Sequence, residues 1–485
     1  MPPSRGEEMN DPLRHVHFVA IAGTGMGALA GLLHARGIHV TGSDENLYPP
    51  MSTALERWGI PVRDGFAAEH VLAGPPDLVV IGNAVRPTNV EARAAIDEGL
   101  NYLSFPDALY QLAIAGRHSV VVAGTHGKTT TTNMLASLLQ RTGRDPSLLV
   151  GGYSHDFDGS FREGQGDYFV VEGDEYDTAF FDKTPKFLHY GARTLVITSV
   201  EFDHADIYRD LAHVKEAFRN VVEGMPADGT VVAAVDHEGV RDVVGGAPCR
   251  VVGYGLGEDA PWRARSIAAV AGGTRFEVVA EAGEVFRVEI PLFGDFNVEN
   301  ALAALVTVES LGVPLAEAGA AFSDYRGVKR RQELRGEERG VAVIDDFAHH
   351  PTAVRAAITG LRARFPGRRL VAVFEPRTNT SRRAVFQNDY ARSFDSADAL
   401  VVSVVPDGPI YSATGEVTEK FSASVLAADV TIRGVPAQAI EGVDAIIDHL
   451  VSSCEPGDVV LVMSNGDFGS IWQKLLAGLR RAPRA

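Results

Sequence analysis

The stretch Ser119-Val-Val-Val-Ala-Gly-Thr-His-Gly-Lys-Thr-Thr-Thr-Thr132 decides the fold, because an apolar run typical of a buried strand enters a glycine-rich turn before a helix. Glycine lets backbone N–H groups face an anion, and the N-terminus of the following helix favours negative charge. Lys128 can reach the β- and γ-phosphates of a nucleotide, and the Thr129 hydroxyl can reach Mg²⁺. A strict P-loop pattern has glycine at Val122, so this is a variant loop that we expect to bind ATP or GTP. The predicted phosphate contacts are Gly124, Thr125, His126, Gly127, Lys128, Thr129 and Thr130.

Length and composition indicate a large, ordinary globular protein. The 485 residues exceed what one hydrophobic core accommodates, so about three domains are expected. The formal charge of −18 argues against nucleic acid or an anionic membrane as a partner. Two cysteines, Cys249 and Cys454, are too few for a disulfide framework. No apolar run is long enough to span a membrane, and residues 1–11 lack the apolar core of a signal peptide. We therefore expect a cytoplasmic protein whose first dozen residues form a frayed tail.

Strand-type and helix-type segments alternate along the chain in three runs, which is typical of parallel sheets covered by helices. The sequence predicts an α/β protein of three doubly wound Rossmann-like domains, the central one of the P-loop ATPase type. The expected boundaries are 1–115, 116–326 and 327–485. Predicted strands are residues 17–23, 38–41, 77–81, 168–171, 194–197, 341–344, 370–374, 399–403 and 458–462, with a hairpin formed by 275–279 and 285–290.

A second glycine-rich turn lies near the start of the chain. Gly23, Gly25 and Ala28 match the dinucleotide fingerprint, and Asp44 follows about 20 residues on, where a ribose hydroxyl is held. Alone, this pattern suggests NAD. Because the chain already carries another phosphate loop, a bound nucleotide-sugar diphosphate is an equally reasonable ligand. The candidate contacts are Gly23, Thr24, Gly25, Met26, Gly27 and Asp44.

Carboxylates cluster directly after two strands of the central run, where open α/β sheets place ligands. Clustered acids beside a phosphate loop suggest Mg²⁺, which takes only one or two protein carboxylates when phosphates supply the other oxygens. Glu172 and His204 follow their strand ends most closely, so we favour them. His349 and His350 either line a cleft or form a satisfied loop pair. The two acidic segments are Glu172-Gly-Asp-Glu-Tyr-Asp177 and Glu201-Phe-Asp-His-Ala-Asp206.

These features together resemble the Mur ligases of peptidoglycan synthesis, with a spacing that covers nearly the whole chain. Besides the phosphate loop, Glu172 and His204, three further segments contribute to the resemblance: Gly294-Asp-Phe-Asn-Val-Glu-Asn300, Arg330-Arg-Gln-Glu333 and Asp345-Asp-Phe-Ala-His-His-Pro-Thr352. Five more are similar to one branch of the family: Tyr48-Pro-Pro-Met-Ser-Thr53, the two acidic segments, Glu375-Pro-Arg-Thr-Asn-Thr380 and Val462-Met-Ser-Asn-Gly466. That branch joins a recycled peptide to a nucleotide sugar.

The resemblance implies an ATP- and Mg²⁺-dependent ligase that activates the lactyl carboxylate of UDP-N-acetylmuramate as an acyl phosphate. The amine of L-alanyl-γ-D-glutamyl-meso-diaminopimelate then displaces phosphate. A sister enzyme that adds L-alanine ranks second. An NAD-dependent dehydrogenase leaves the P-loop unexplained, and a non-catalytic UDP-sugar-binding descendant would have lost Lys128 or Glu172, both of which are present.

The resemblance also assigns roles residue by residue. Lys128 neutralises the β- and γ-phosphates, Thr129 and Glu172 hold Mg²⁺, and His204 lies near a second cation. Arg331 contacts phosphate and Asp346 holds the ATP ribose. Asn297 and Asn300 frame the ATP site. Independently of the resemblance, we assign His349 and Arg377 to the substrate, because an acidic protein needs local cations to hold peptide carboxylates and the planar fork of arginine suits them. Family members commonly carry Cys at Ala22, Asn at Ser199 and Gly at Asp467, so this chain departs from the family at those three positions.

Overall fold

The computed structural model describes residues 13–47, 51–405, 408–410, 412–413, 415, 417 and 419–481. The predicted N-terminal tail, residues 1–11, and the first three residues of the segment 48–53 lie outside this range. No helix in the described ranges is long and apolar enough to cross a membrane. The chain divides into two compact units: the first comprises Met1–Val121, Arg144–Tyr153 and Phe157–Thr194, and the second Val122–Gly143, Ser154–Asp156 and Leu195–Ala485.

The first unit opens with a parallel sheet of order β3-β2-β1-β4-β5. Strand β4 is a continuous apolar run, as expected of a parallel strand that is covered on both faces, and Val16, Phe18, Val79 and Ile81 are fully buried. The elements are β1 His15–Val19, α1 Thr24–Ala35, β2 His39–Asp44, α2 Met51–Trp58, β3 Val62–Asp64, α3 Glu69–Leu72, β4 Leu78–Ile81, α4 Val90–Asp97, β5 Tyr102–Ser104 and α5 Phe105–Leu109.

The first strand is shorter than predicted at its carboxyl end. We expected residues 17–23, but β1 ends at Val19 and Ala20 adopts a positive φ of 68°. The N–H groups of Ala20 and Ile21 both donate to Ser43 O instead of extending a ladder. The chain therefore starts to turn three residues before Gly23, which is the N-cap of α1.

The first unit also holds the beginning of the phosphate-loop strand. Its remaining strands have the order β6-β9-β7-β8, together with an antiparallel hairpin of β10 and β11. Strand β6 passes into the second unit after Val121. The bounds are β6 His118–Ala123, β7 Ser147–Ser154, β8 Gly159–Arg162, β9 Tyr168–Gly173, β10 Asp177–Ala179 and β11 Asp182–Pro185.

In the second unit, a sheet of order β17-β16-β15-β14-β13-β12 follows the phosphate-loop helix in the chain. Its last strands are antiparallel, and the predicted hairpin is confirmed: Gly283, with a φ of 86°, forms the turn between β16 and β17. The elements are α6 Lys128–Arg141, β12 Thr194–Ile197, α7 Leu211–Glu223, β13 Thr230–Ala234, α8 Glu238–Val244, β14 Arg250–Gly255, β15 Trp262–Val270, β16 Gly273–Val279, β17 Val285–Ile290, α9 Asp295–Ser310 and α10 Leu315–Ala321.

The same unit ends in a doubly wound sheet of order β18-β19-β23-β20-β21-β22, parallel except for β18. Alternate residues of β20 enter two different apolar cores, Ala372 and Phe374 on one face and Val371 and Val373 on the other. Helices therefore cover both faces, as predicted. The elements are β18 Glu333–Glu338, β19 Val341–Asp346, α11 Pro351–Arg364, β20 Leu370–Phe374, α12 Gln387–Ser393, β21 Ala399–Ser403, α13 Ala423–Ile432, β22 Ala437–Ile440, α14 Val443–Ser453, β23 Val459–Met463 and α15 Ile471–Arg481.

Candidate active site

The predicted phosphate loop connects β6 to α6 and is shaped by two glycines that no other residue could replace without a backbone shift. Gly124 has a φ of 138°, and a Cβ there would lie 2.1 Å from Thr198 Oγ1 and 2.9 Å from Ser199 N. Gly127 has a φ of 81°, and its Cβ would lie 2.4 Å from Asn300 Oδ1. Both positions need the left-handed backbone that glycine adopts freely. The loop is thus held close to the segment after β12.

Hydrogen bonds fix the loop against Ser199. Thr125 N donates to Ser199 O at 3.0 Å, and His126 N donates to Ser199 Oγ at 2.8 Å. Ser199 stands where family members commonly carry Asn, and its hydroxyl supplies an acceptor for the loop. Lys128 Nζ donates to Gly124 O at 2.6 Å and to Thr125 O at 3.3 Å. The ammonium group therefore lies over the loop, where a phosphate ligand is expected.

Arg331 and Asp346 come from the later part of the chain to this loop. Arg331 Nη2 donates to Thr129 Oγ1 at 3.2 Å, and the guanidinium lies over the Phe347 ring at 5.0 Å. The two carboxylate oxygens of Asp346 accept from Gln332 N at 2.9 Å and Ala348 N at 2.8 Å. Burial raises the pKa of Asp346 despite the nearby Arg331. Arg331 is thus placed to meet an anion that contacts Thr129.

One pocket of the second unit collects most of the predicted nucleotide contacts. Its wall includes apolar surface from Leu292 and Phe296, as is usual for small-molecule sites with a few polar groups. The predicted residues that line it are His126, Gly127, Thr130, Asn297, Asn300, Arg331 and Asp346. The lining residues that were not predicted as contacts include Thr198, His237, Tyr254, Glu299, Tyr325 and Thr352.

Three of these unpredicted residues give the pocket a polar patch. His237 Nε2 lies 2.9 Å from Glu299 Oε1, and this hydrogen bond raises the pKa of His237. Tyr254 is fully buried, and its hydroxyl has no hydrogen-bond partner among the residues that the structure describes. Buried hydroxyls are normally paired. An unpaired one in a pocket wall is therefore free to donate to a ligand.

A second polar cluster surrounds Glu201, which follows β12. Glu201 Oε2 accepts from Thr352 Oγ1 at 2.7 Å and lies 3.4 Å from His126 Nε2 and 3.8 Å from His350 Nδ1. Burial alone would raise the pKa of Glu201, but His126, Thr352 and His350 outweigh it and lower the pKa to about 2. Burial and the neighbouring His126 lower the pKa of His350 to about 4.

His204 and His349 meet at another buried acid, Asp203. Burial opposes ionisation of Asp203, but His204 and His349 hold its pKa well below the usual range. His349 Nε2 lies 3.8 Å from Asp203 Oδ2, and His204 N donates to Asp203 Oδ1 at 2.7 Å. His204 has a positive φ of 52°. The structure thus brings His204 and His349 together around one carboxylate.

Glu172 lies in the first unit and is held by its neighbour on β7. Its Oε2 accepts from Gly151 N at 2.7 Å, and a Cβ on Gly151 would lie 2.9 Å from that oxygen. Glycine at residue 151 therefore permits a close approach of the carboxylate to the backbone. The assignment of Glu172 to Mg²⁺ stays a prediction.

The glycine-rich turn near the start of the chain, residues 23–27, is closed by Asp44. Its Oδ2 accepts from Ala22 N at 2.9 Å and its Oδ1 from Asn46 N at 3.0 Å. A Cβ on Gly25 would lie 3.0 Å from Phe105 Cζ, and one on Gly27 would lie 2.2 Å from Met51 Sδ. Asp44 therefore stabilises the turn itself, and its predicted contact with a ribose is untested.

The arginines after β20 mostly contact backbone. Arg377 lies against Gly466, where a Cβ would be 1.9 Å from Arg377 Nη1. Arg382 donates to Gly408 O at 3.1 Å and Pro409 O at 3.2 Å, and Arg383 donates to Ala205 O at 3.2 Å. Arg382 and Arg383 therefore hold loops together. The assignment of Arg377 to the substrate stays a prediction.

A Rossmann-like sheet, a P-loop followed by a helix and a polar nucleotide pocket define a nucleotide-binding enzyme of the P-loop α/β class. Three family models match the chain: "Mur ligase family, catalytic domain" over residues 15–117, "Mur ligase middle domain" over 122–308, and "Mur ligase, glutamate ligase domain" over 330–466. The chain belongs to the Mur ligase family.

Characterised relatives cover almost the full length. The chain is 39% identical over 471 residues to the UDP-N-acetylmuramate–L-alanyl-γ-D-glutamyl-meso-2,6-diaminoheptandioate ligase of Escherichia coli (strain K12), covering 97% of this chain and 99% of the relative. It is 34% identical over 463 residues to the UDP-N-acetylmuramate–L-alanine ligase of Desulfitobacterium hafniense (strain Y51), covering 95% and 99%. The crystal structure of a murein peptide ligase from Psychrobacter arcticus 273-4 matches with a TM-score of 0.71 and 34% identity, covering 97% and 99%.

Proposed function

We propose that the chain is an ATP-dependent ligase that joins UDP-N-acetylmuramate to the tripeptide L-alanyl-γ-D-glutamyl-meso-diaminopimelate. The observation that carries the proposal is the 39% identity, over nearly the whole of both chains, to a ligase whose name specifies those two substrates. The phosphate loop of the second unit supports the proposal physically, because Lys128, Arg331 and the N-terminus of α6 all lie at this loop.

In the first step, the lactyl carboxylate of UDP-N-acetylmuramate attacks the γ-phosphorus of ATP, and ADP leaves. The reaction develops negative charge on the phosphate oxygens, so positioning and charge stabilisation supply most of the catalysis. Lys128 lies over the loop and Arg331 reaches Thr129, so both can contact these oxygens. In the second step, the peptide amine attacks the acyl phosphate, loses a proton and displaces inorganic phosphate to form the amide.

The two oxygen donors that we assign to Mg²⁺ suit this ion chemically. The Thr129 hydroxyl and the Glu172 carboxylate are the hard oxygen ligands that Mg²⁺ prefers, whereas the His204 imidazole is a softer donor. Bound there, Mg²⁺ would neutralise charge on the nucleotide phosphates. Glu172, which Gly151 N orients, and Thr129, which Arg331 orients, are the residues we assign to it.

We assign the nucleotide to the pocket of the second unit. Asn297, Asn300 and Asp346 line it, in agreement with their proposed contacts to ATP. Gly23 to Gly27 and Asp44 are assigned to UDP-N-acetylmuramate, and His349 and Arg377 to the peptide. Because the family model describes Mur ligases, the dehydrogenase alternative is discarded. The cytoplasmic location stays a prediction, and the oligomeric state is open.

The experiment is ADP release with UDP-N-acetylmuramate and either the tripeptide or L-alanine. We expect turnover with the tripeptide at a kcat/KM far above that for L-alanine. Efficient ligation of L-alanine with negligible tripeptide activity would favour the sister ligase, to which the chain is 34% identical. ADP release that needs neither amine nor nucleotide sugar would reject ligation altogether.

A further inference from the structure

His126, Glu201 and His350 form a cluster of three potential metal-binding side chains in the second unit. One nitrogen or oxygen from each residue lies within 4.8 Å of the others. Two imidazoles and one carboxylate form the ligand set that first-row transition metals favour, whereas Mg²⁺ prefers oxygen ligands alone. The three residues come from the phosphate loop, the segment after β12 and the N-cap of α11, so the fold, rather than a local motif, assembles them.

The separations fit a tetrahedral ion. Metal–ligand bonds of about 2.0 to 2.1 Å place neighbouring ligand atoms of a tetrahedral zinc site roughly 3.3 Å apart. Glu201 Oε2 lies 3.4 Å from His126 Nε2 and 3.8 Å from His350 Nδ1. The third separation, between the two imidazoles, is within 4.8 Å, so side-chain rotations have to bring the two rings closer together around one ion.

The remaining polar atoms of the cluster support ligation. His350 Nε2 lies 3.2 Å from Phe202 O. A carbonyl oxygen can only accept, so Nε2 carries the proton and Nδ1 carries the lone pair. That lone pair accepts from Thr352 N at 3.3 Å, so a metal ion at Nδ1 has to replace this long N-cap hydrogen bond. A metal-binding histidine typically donates its other N–H in this way, and a ligating carboxylate is typically hydrogen-bonded, as Glu201 is by Thr352.

His126 supplies a second, independent observation. Its Nε2 is buried and faces Glu201 Oε2 at 3.4 Å, but it makes no hydrogen bond of good geometry to any part of the chain that the structure describes. A buried ring nitrogen normally has a partner. The first unit contains a second group of possible metal ligands, Asp107, Asp182 and His189. In this group, both ring nitrogens of the histidine already have hydrogen-bond partners. There His189 Nδ1 lies 2.8 Å from Asp107 Oδ1, and Nε2 lies 2.8 Å from Thr184 Oγ1.

From this geometry we infer that His126, Glu201 and His350 bind one first-row transition metal ion, such as Zn²⁺, with a solvent molecule completing a tetrahedron. This site is separate from the Mg²⁺ ligands assigned above and does not depend on the proposed ligation reaction. A metal bound there joins the phosphate loop to the start of α11, two segments that line the nucleotide pocket.

Titration with Co²⁺ tests the site directly, because tetrahedral Co²⁺ absorbs visible light far more strongly than octahedral Co²⁺. The full chain is stripped of metal with a chelator and titrated without nucleotide. We expect one tightly bound Co²⁺ per chain with intense visible bands, displaced by equimolar Zn²⁺ but retained in a large excess of Mg²⁺.

Two variants remove ligands with little change elsewhere. His350→Asn deletes the imidazole and keeps a good N-cap for α11, and Glu201→Gln keeps the side-chain shape and an acceptor for Thr352. Each should weaken Co²⁺ binding by at least about a hundredfold. Zn²⁺ should raise the unfolding temperature of the wild type and leave that of both variants unchanged, since an ion that binds only the native state stabilises it.

His349→Gln and His189→Asn are the matched controls, because they remove a neighbouring histidine and the histidine of the other cluster. Both should bind Co²⁺ as the wild type does. The inference is overturned by weak octahedral Co²⁺ spectra in the wild type, by wild-type affinity in folded His350→Asn and Glu201→Gln, or by a loss of affinity confined to His189→Asn.

Discussion

Replacing Tyr254 by Phe removes a single buried oxygen from the nucleotide pocket. The Tyr254 side chain is fully buried, and its hydroxyl has no hydrogen-bond partner within the described ranges of the chain. Burial raises the pKa of this hydroxyl far above its ordinary value, and the nearby Glu299 carboxylate adds to the increase. The hydroxyl is therefore un-ionised and able to donate a hydrogen bond to a ligand in the pocket.

The magnitude follows from the cost of an unpaired polar group. Leaving a buried hydroxyl without a partner costs about 1 to 3 kcal/mol, so Tyr254→Phe should raise the free energy of unfolding of the ligand-free protein by about 1 kcal/mol or more. If the hydroxyl donates to the nucleotide, the same change removes a bond worth about 0.5 to 1.5 kcal/mol. ATP should then bind roughly two- to tenfold more weakly.

Tyr325 offers a matched control in the same pocket. It is also a buried tyrosine, but its hydroxyl accepts from Asn133 Nδ2 at 3.1 Å. Tyr325→Phe removes that acceptor, so it should lower the free energy of unfolding by about 1 kcal/mol. Thermal unfolding of the two variants without nucleotide, and calorimetric titration of each with ATP, separate the two effects.

The reasoning about Tyr254 fails on either of two results. A Tyr254→Phe variant that unfolds below the wild type would mean that its hydroxyl is already satisfied in the free protein. An unchanged Kd for ATP would mean that the nucleotide does not accept from it. The pocket as described would be supported if the two variants shift stability in opposite directions and if Tyr254→Phe binds ATP more weakly.

Three further predictions test the site and the fold. Lys128→Ala should leave a folded protein but reduce kcat for ADP release at least a hundredfold, because a lost phosphate contact costs about 3 kcal/mol or more of transition-state stabilisation. Near-normal ADP release would exclude a role for Lys128 in binding the phosphates. Gly25→Val should weaken UDP-N-acetylmuramate binding in calorimetry while ATP binding persists, because the added Cβ alone would lie 3.0 Å from Phe105 Cζ. If ATP binding were lost instead, the assignments of the two nucleotide sites would have to be exchanged. Burial raises the pKa of Asp345 from 3.8 to about 6 although Arg330 opposes it, so folding takes up a proton between these values and stability falls as pH rises from about 4 to 6. In urea unfolding, the free energy of unfolding should fall with pH by about 3 kcal/mol less in Asp345→Asn than in the wild type. Parallel pH profiles of the variant and the wild type would contradict the raised pKa of Asp345.

The fold was predictable where the signal is local. Strands such as β4 and β20 are short apolar runs bounded by turn residues, and they were found almost to the residue. Some of the strands that were missed give a weaker signal, although β13, Thr230–Ala234, is an apolar run that was also missed. β18, Glu333–Glu338, is largely charged, and β7, Ser147–Ser154, contains two consecutive glycines. These strands form because a neighbouring strand offers a ladder of backbone groups, and this partner cannot be read from the segment itself.

The phosphate loop was predictable for the same reason, since one contiguous segment contains its glycines, its lysine and its threonine. The residues that complete the pocket come from separate segments: Tyr254 lies on β14, and Glu299 lies on α9 between the two predicted asparagines. The position of Glu299 one residue before Asn300 was the only signal available for it. Tyr254 had none, because an isolated tyrosine in a strand is most often part of a core.

Ser199 shows why a departure from a family pattern needs a structure to interpret. In the sequence it could only be recorded as a serine where asparagine is common. In the structure its carbonyl accepts from Thr125 N and its hydroxyl accepts from His126 N, so it fixes two consecutive residues of the phosphate loop. The backbone of His126 is thereby held while its buried ring nitrogen faces Glu201 at 3.4 Å. Ser199 thus helps to position the residue whose ring takes part in the proposed metal site.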